Sequence, residues 1–90
     1  MHYALNDKIA TITLDDGKAN AVGHTLIDAL NAALDQAETE AASVVLLGRS
    51  GVFSAGFDLK EIQKGPDAAA ALVGRGAEMF YRLFNYPLPL

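Results

Sequence analysis

Between Lys8 and Leu14, the apolar residues Ala10, Ile12 and Leu14 alternate with Thr11 and Thr13. This is the period-two pattern of a half-buried strand. Tyr3-Ala4-Leu5 lies on the other side of the turn dipeptide Asn6-Asp7, so the chain opens with an expected β-hairpin. Asp15-Asp16-Gly17-Lys18 ends it, and Ala19 to His24 has no clean period, as expected of a loop with buried small residues. From Thr25 the period lengthens. Leu26, Ile27, Leu30, Ala33, Leu34 and Ala37 recur at helical spacing, with Asp28, Asn31, Asp35 and Glu38 on the other face. A helix to about Glu40 follows, and Thr25 with Asp28 resembles a capping box in which Asp replaces the usual Glu. Ser43 to Leu47 is a short, continuous apolar run bounded by Gly48, the pattern of a strand buried on both faces. Strand, helix, strand implies a βαβ crossover and a parallel pair.

Pro66-Asp67 marks a second helix start, and Ala68 to Asn85 carries Leu72, Val73, Met79, Phe80, Leu83 and Phe84 on a broad face. Gly74 and Gly76 weaken that helix by about 1 kcal/mol each relative to Ala, which predicts a bend or a close approach there. Tyr86 to Leu90 ends it with two prolines, and Leu88 and Leu90 read as the approach to another buried strand. So wide an apolar face needs more sheet than the earlier strands provide. The expectation is an α/β core completed by later sequence or by a partner chain.

Composition narrows the chemistry. With 51% hydrophobic and 20% charged residues the 90-residue chain is globular in character, and at this length it buries about two-thirds of its unfolded surface. The absence of cysteine excludes disulfides and thiolate metal sites, and His2 and His24 are too far apart in sequence to make a metal set, so no metal is expected. Neither a signal-peptide pattern nor a run approaching the ~20 apolar residues of a membrane span is present. The expectation is a soluble, cytoplasmic protein with no membrane partner. A net charge of −4 argues against nucleic acid, whose binding rests on Lys and Arg neutralising phosphates.

The stretch "GRSGVFSAGFDLKEI", Gly48 to Ile62, follows the apolar strand. Open α/β folds commonly place ligands there, beyond the carboxyl end of a parallel strand. Gly48, Gly51 and Gly56 permit positive φ or close ligand approach, and Phe57 to Ile62 reads as the start of a short helix. N–H groups at a helix start have no intrahelical acceptor, so they can bind an anion or a polarised carbonyl. Such fixed donors contribute roughly 3–4 kcal/mol each to an oxyanion. The competing reading is an ordinary βα loop with Val52, Phe53, Phe57 and Leu59 as core. A phosphate loop is excluded: Gly51 and Gly56 have Walker A spacing, but Phe57-Asp58 stand where Lys-Ser/Thr would be needed.

"GKANAV" at 17–22, the helix "LIDALNAALDQAE", the strand "SVVLLGRSG" and "VFSAGFDLKEI" at 52–62, in that order and spacing, resemble the N-terminal part of the crotonase (enoyl-CoA hydratase/isomerase) superfamily. The resemblance covers nearly the whole chain. It implies a crotonase-like ββα spiral fold of which only the first part is present, residues 1–90 forming the N-terminal part of an acyl-CoA-binding domain. It implies an enzyme that transforms an acyl-CoA thioester, by hydration of an enoyl-CoA or isomerisation through an enolate, with coenzyme A as part of the substrate and no separate cofactor.

By that resemblance the backbone N–H of Phe57 is one half of an oxyanion hole. Ala55, Asp58 and Leu59 match a segment lining the adenine pocket. Lys18 and Ala19 match a segment along the pantetheine and phosphates, Lys60 matches a basic position near the phosphates, and Ala21 and Gly56 belong to the same CoA-binding segments. The second donor and the acid/base carboxylates are expected after residue 90, and the assembly is expected to be a homotrimer or hexamer.

Lys18, Arg49, Lys60 and Lys64 cluster in or beside these segments and offset the acidic balance, although each can equally be a solvated surface charge. His24 reads as a cap or surface residue rather than an acid/base group. Asp58 and Glu61 read as favourable charges in a first helical turn, and Asn20 as bonded to local backbone. The alternative from another class is a non-catalytic α/β interaction domain that uses the apolar face Leu72 to Leu83.

Overall fold

A computed structural model describes residues 1–90. The first two strands, β1 (His2–Asn6) and β2 (Ile9–Thr13), pair antiparallel with Asn6 opposite Ile9. The two-residue turn between them is Asp7-Lys8, with φ of 50° and 63°. Both central residues are left-handed, as the primed turns of tight hairpins require. The hairpin follows the sequence reading; the turn is one residue later than Asn6-Asp7.

Helix α1 (His24–Glu40) carries the chain to β3 (Ser43–Leu47), which pairs parallel with β2, Ile9 opposite Ser43 and Thr13 opposite Leu47. The sheet order is β1-β2-β3, with the expected βαβ crossover. The capping box does not form. Gly23 is the N-cap, no side chain caps the helix, and Thr25 and Asp28 both sit inside its first turns, where Asp28 turns to Arg75 at 2.5 Å instead.

The register puts Tyr3 and Leu5 of β1, Ala10 and Ile12 of β2, and Val44 and Leu46 of β3 on one face. On that face Ala10, Ile12 and Val44 join Ile27, Leu30 and Leu34 of α1, and Leu72 and Met79 of α3 (Pro66–Phe84), in one core cluster. The opposite face carries Ile9, Val45 and Leu47, which are 44%, 42% and 46% exposed. Strand β3 is therefore buried on one face, not on two as its apolar run predicts, because both long helices pack on the same side of the sheet. The prolines after α3 bring the tail to the free edge of β3, where Val44 N–H donates to the Pro89 carbonyl at 2.8 Å.

Helix α3 starts with Pro66 in its first turn, a position where the missing N–H costs nothing. Two of its arginines track the polar face of α1: Arg75 meets Asp28, and Arg82 meets Asn31 at 3.1 Å, Asp35 at 2.6 Å and Glu38 at 2.7 Å. Short helix α2 (Leu59–Ile62) lies between β3 and α3 in sequence and begins at the Asp58 cap, whose carboxylate accepts from Lys60 N–H at 3.0 Å. None of the helices is long and apolar enough to cross a membrane.

Candidate functional site

Two segments more than thirty residues apart in sequence close on each other like a short parallel ladder. Ala55 N–H donates to the Ala19 carbonyl at 2.8 Å, Val22 N–H to the Gly56 carbonyl at 2.8 Å, and Asp58 N–H to the Val22 carbonyl at 2.9 Å. Side chains lock the same seam. Ser54 Oγ donates to the Asn20 carbonyl at 2.8 Å, and Asn20 Nδ2 donates to the carbonyls of Leu14 at 2.6 Å and Phe53 at 3.0 Å. Asn20 Oδ1 accepts from Asp16 N–H at 3.0 Å, so this buried amide is bonded to local backbone, as its sequence context predicts. Asn20 holds φ at 54°, a left-handed value that Asn tolerates better than most residues. Gly51 and Gly56 adopt φ of 85° and 90°, which turn the loop back toward the first segment.

The geometry at Phe57 follows from this ladder. In parallel pairing, Val22 bonds to the residues on either side of its partner, here Gly56 and Asp58, so the partner's own N–H and carbonyl point away. The Phe57 N–H accordingly finds no acceptor in the chain, while its neighbours are both bonded: Gly56 N–H donates to Ser54 Oγ at 3.1 Å and Asp58 N–H to Val22. The amide is held on both sides and left free itself. The Phe57 ring packs against Gly76 of α3 and edge-on to Phe80, with ring centroids 6.4 Å apart.

On one side of the seam lies a cavity of about 510 Å³, lined by Lys18, Ala21, Asp58 and Lys60 together with the uncapped start of α1, Gly23 to Leu26. Neither lysine makes an ion pair, so both ammonium groups are available beside the free N–H groups that open α1, although Asp15, Asp16, Asp58 and Glu61 line the same cavity, the first facing Arg49 and the last paired with Lys64. A second cavity of about 280 Å³ has a nearly all-apolar wall that includes Gly56, Phe57, Leu26, Met79 and Leu83. The expected site residues are thus brought together in two groups that share the loop, with Ala19 and Ala55 contributing the backbone bond that joins the segments. Leu59 is 67% exposed and lines neither cavity.

Two of the four clustered cations are engaged elsewhere. Arg49 bonds the Lys18 carbonyl and faces Asp15 at 3.7 Å, so it shapes the loop. Lys64 pairs with Glu61 at 2.6 Å and holds that carboxyl below the usual range, with His24 adding to the effect. The Asp16 carboxyl is likewise lowered, chiefly by accepting the Lys18 N–H. His24 opens α1 as a surface-type residue, yet its ring is held between Arg75 at 2.9 Å and Glu61 at 3.5 Å. The close approach expected at Gly74 and Gly76 is found at Gly76, beneath the Phe57 ring, and not at Gly74; Arg75, whose partners lie on α1, was not legible as a site neighbour.

Fold and loop together define an α/β protein of the crotonase class, represented here by its first part. The model of the enoyl-CoA hydratase/isomerase family matches residues 4–90, and the chain belongs to that family. It is 33% identical over 91 residues to a probable enoyl-CoA hydratase of Bacillus subtilis, covering 97% of this chain and 35% of that protein. It superposes with TM-score 0.91 and 43% identity on an enoyl-CoA isomerase of Mycobacterium tuberculosis, over 98% of this chain and 38% of the other. An enoyl-CoA hydratase/isomerase family protein of Pseudomonas syringae gives TM-score 0.90 and 44% identity, over 94% and 37%. The chain thus spans little more than a third of the length of these relatives.

Proposed function

We propose that residues 1–90 form the N-terminal part of an acyl-CoA-binding domain and supply one side of the site of an acyl-CoA-transforming enzyme. The reaction is hydration of an enoyl-CoA or isomerisation through an enolate. In both, negative charge develops on the thioester oxygen as a bond forms or a proton leaves along the acyl chain. The Phe57 N–H donates to that oxygen. The observation that carries the reading is that this amide is rigidly held yet without an acceptor, the state a preorganised donor needs.

The rest of the ligand follows the charges and the walls. Lys18 and Lys60, beside the start of α1, take the CoA phosphates; Ala19, Ala21, Ala55, Gly56, Asp58 and Leu59 form the backbone path along pantetheine and adenine. A second donor and the acid and base groups belong to the remaining two-thirds of the fold that the relatives possess. The 90-residue chain by itself is therefore inactive, and the complete protein works in the cytoplasm as a homotrimer or hexamer. The competing reading, an interaction domain that uses the face Leu72 to Leu83, keeps only part of that face, since Leu72 and Met79 are buried in the core while Val73 and Phe80 are 45% and 50% exposed.

Calorimetry of the full-length protein with acetoacetyl-CoA separates the two. Binding is expected, and its absence in the folded protein would favour the interaction domain. Phe57→Pro deletes the donor. It is expected to lower kcat by about 10²–10³-fold while circular dichroism shows an unchanged fold; undiminished turnover would end the donor assignment.

A further inference from the structure

We propose that Gly76 of α3 is a positioning residue for the Phe57 amide, acting through the Phe57 ring. The proposal rests on the reading of Phe57 as the oxyanion donor. Gly76 is buried in the middle of a long helix, where Gly is the weaker choice on propensity alone. A Cβ placed on it would fall 2.7 Å from Phe57 Cζ, closer still to Cε1, and 3.7 Å from Cδ1. The missing side chain is therefore the seat of the ring. Phe80, one helical turn further along the same face, closes the seat with an edge-on contact.

The nearby Gly74 shows that this is not a general tolerance of the helix. A Cβ there meets nothing within 4 Å. The two glycines have the same propensity cost, and only at the one under Phe57 would an added Cβ displace a neighbour, the Phe57 ring.

The ladder to Val22 fixes the Phe57 peptide along one edge. The Gly56 carbonyl, bonded to Val22 N–H, lies in the same planar peptide as the Phe57 N–H, and the ring seated on Gly76 adds an anchor on the Cα side, so the free N–H keeps a single position. A donor displaced by about 1 Å loses on the order of a hundredfold in rate. Filling the seat pushes the ring off α3 and removes that anchor, leaving the loop at Phe57 held by the ladder alone. Gly76 touches no substrate in this arrangement; it acts through the ring.

The test is a double-mutant cycle in the full-length protein, read as kcat and KM for crotonyl-CoA and as the enolate absorbance of bound acetoacetyl-CoA. Gly76→Ala is expected to lower kcat tenfold or more with KM little changed, and to weaken the enolate signal, although Ala is the better helix former. Gly74→Ala should leave both readouts unchanged. Phe57→Leu, which vacates the seat, also lowers kcat. Because Leu vacates the space that the Ala methyl then fills, the double variant Gly76→Ala/Phe57→Leu is no worse than either single one.

Full kcat in Gly76→Ala, or losses that simply add, would overturn the proposal. If Gly76→Ala does not fold, Phe57→Leu decides alone, and unchanged kcat overturns it. The underlying donor reading fails separately, through a Phe57→Pro enzyme that keeps full activity; a Phe57→Pro enzyme that is inactive beside a fully active Gly76→Ala removes only the seat.

Discussion

Asn20 holds the two halves of the site together. Its amide donates to carbonyls from two different segments, accepts from Asp16 N–H, and is 0% exposed. Asn20→Ala leaves the Leu14 and Phe53 carbonyls without that partner and puts a Cβ residue of poor left-handed tolerance at φ 54°. The expected loss of stability is about 3 kcal/mol by urea denaturation of the full-length protein. Asn20→Gly should recover about 1 kcal/mol of it, the backbone part. Equal losses would mean that the hydrogen bonds alone matter. A buried, backbone-bonded Asn was legible in the sequence, because a short amide between small residues in a loop has few other uses. Its conformation and its bond to Phe53 were not, since they depend on how a segment 33 residues away folds back.

Among the elements, those defined by their own period read correctly: the hairpin, α1, the βαβ crossover and α3 all follow from spacing and turn residues. The errors lie where one element's surroundings come from another. Strand β3 shows the same apolar run whether one face is covered or two, and the cap of α1, expected at Thr25, is Gly23, two residues earlier. The α1–α3 seam contains both apolar and ionic contacts, and their magnitudes differ. Leu72 is 0% exposed, so Leu72→Ala is expected to cost about 2–5 kcal/mol. Arg82→Met, with partners Asp35 71% and Glu38 39% exposed, is expected to cost about 1 kcal/mol or less. Thermal or urea melts of the two variants check this, and a larger loss for Arg82→Met would assign the seam to its ion pairs.

The whole molecule is open. Its radius of gyration is 13.6 Å, against about 12 Å for a compact chain of this length, and only 15 of its 90 residues are buried. Ile9, Val45 and Leu47 on the uncovered sheet face, and Phe80 and Phe84 on α3, leave apolar surface on two sides. The 90-residue chain expressed alone is therefore expected to self-associate in sedimentation velocity runs and to bind a hydrophobic dye. A dye-silent monomer would contradict that. The sequence by itself determined the element order, the parallel crossover, the family and the loop that carries the proposed donor, because each is written in local period, turn chemistry or a short ordered motif. Only the tertiary structure decided which face of β3 is covered, that the Phe57 N–H is left without an acceptor, and that Gly76 sits beneath the ring. Those properties belong to pairs of segments far apart in the chain, and a local pattern has no way to encode which partner will arrive.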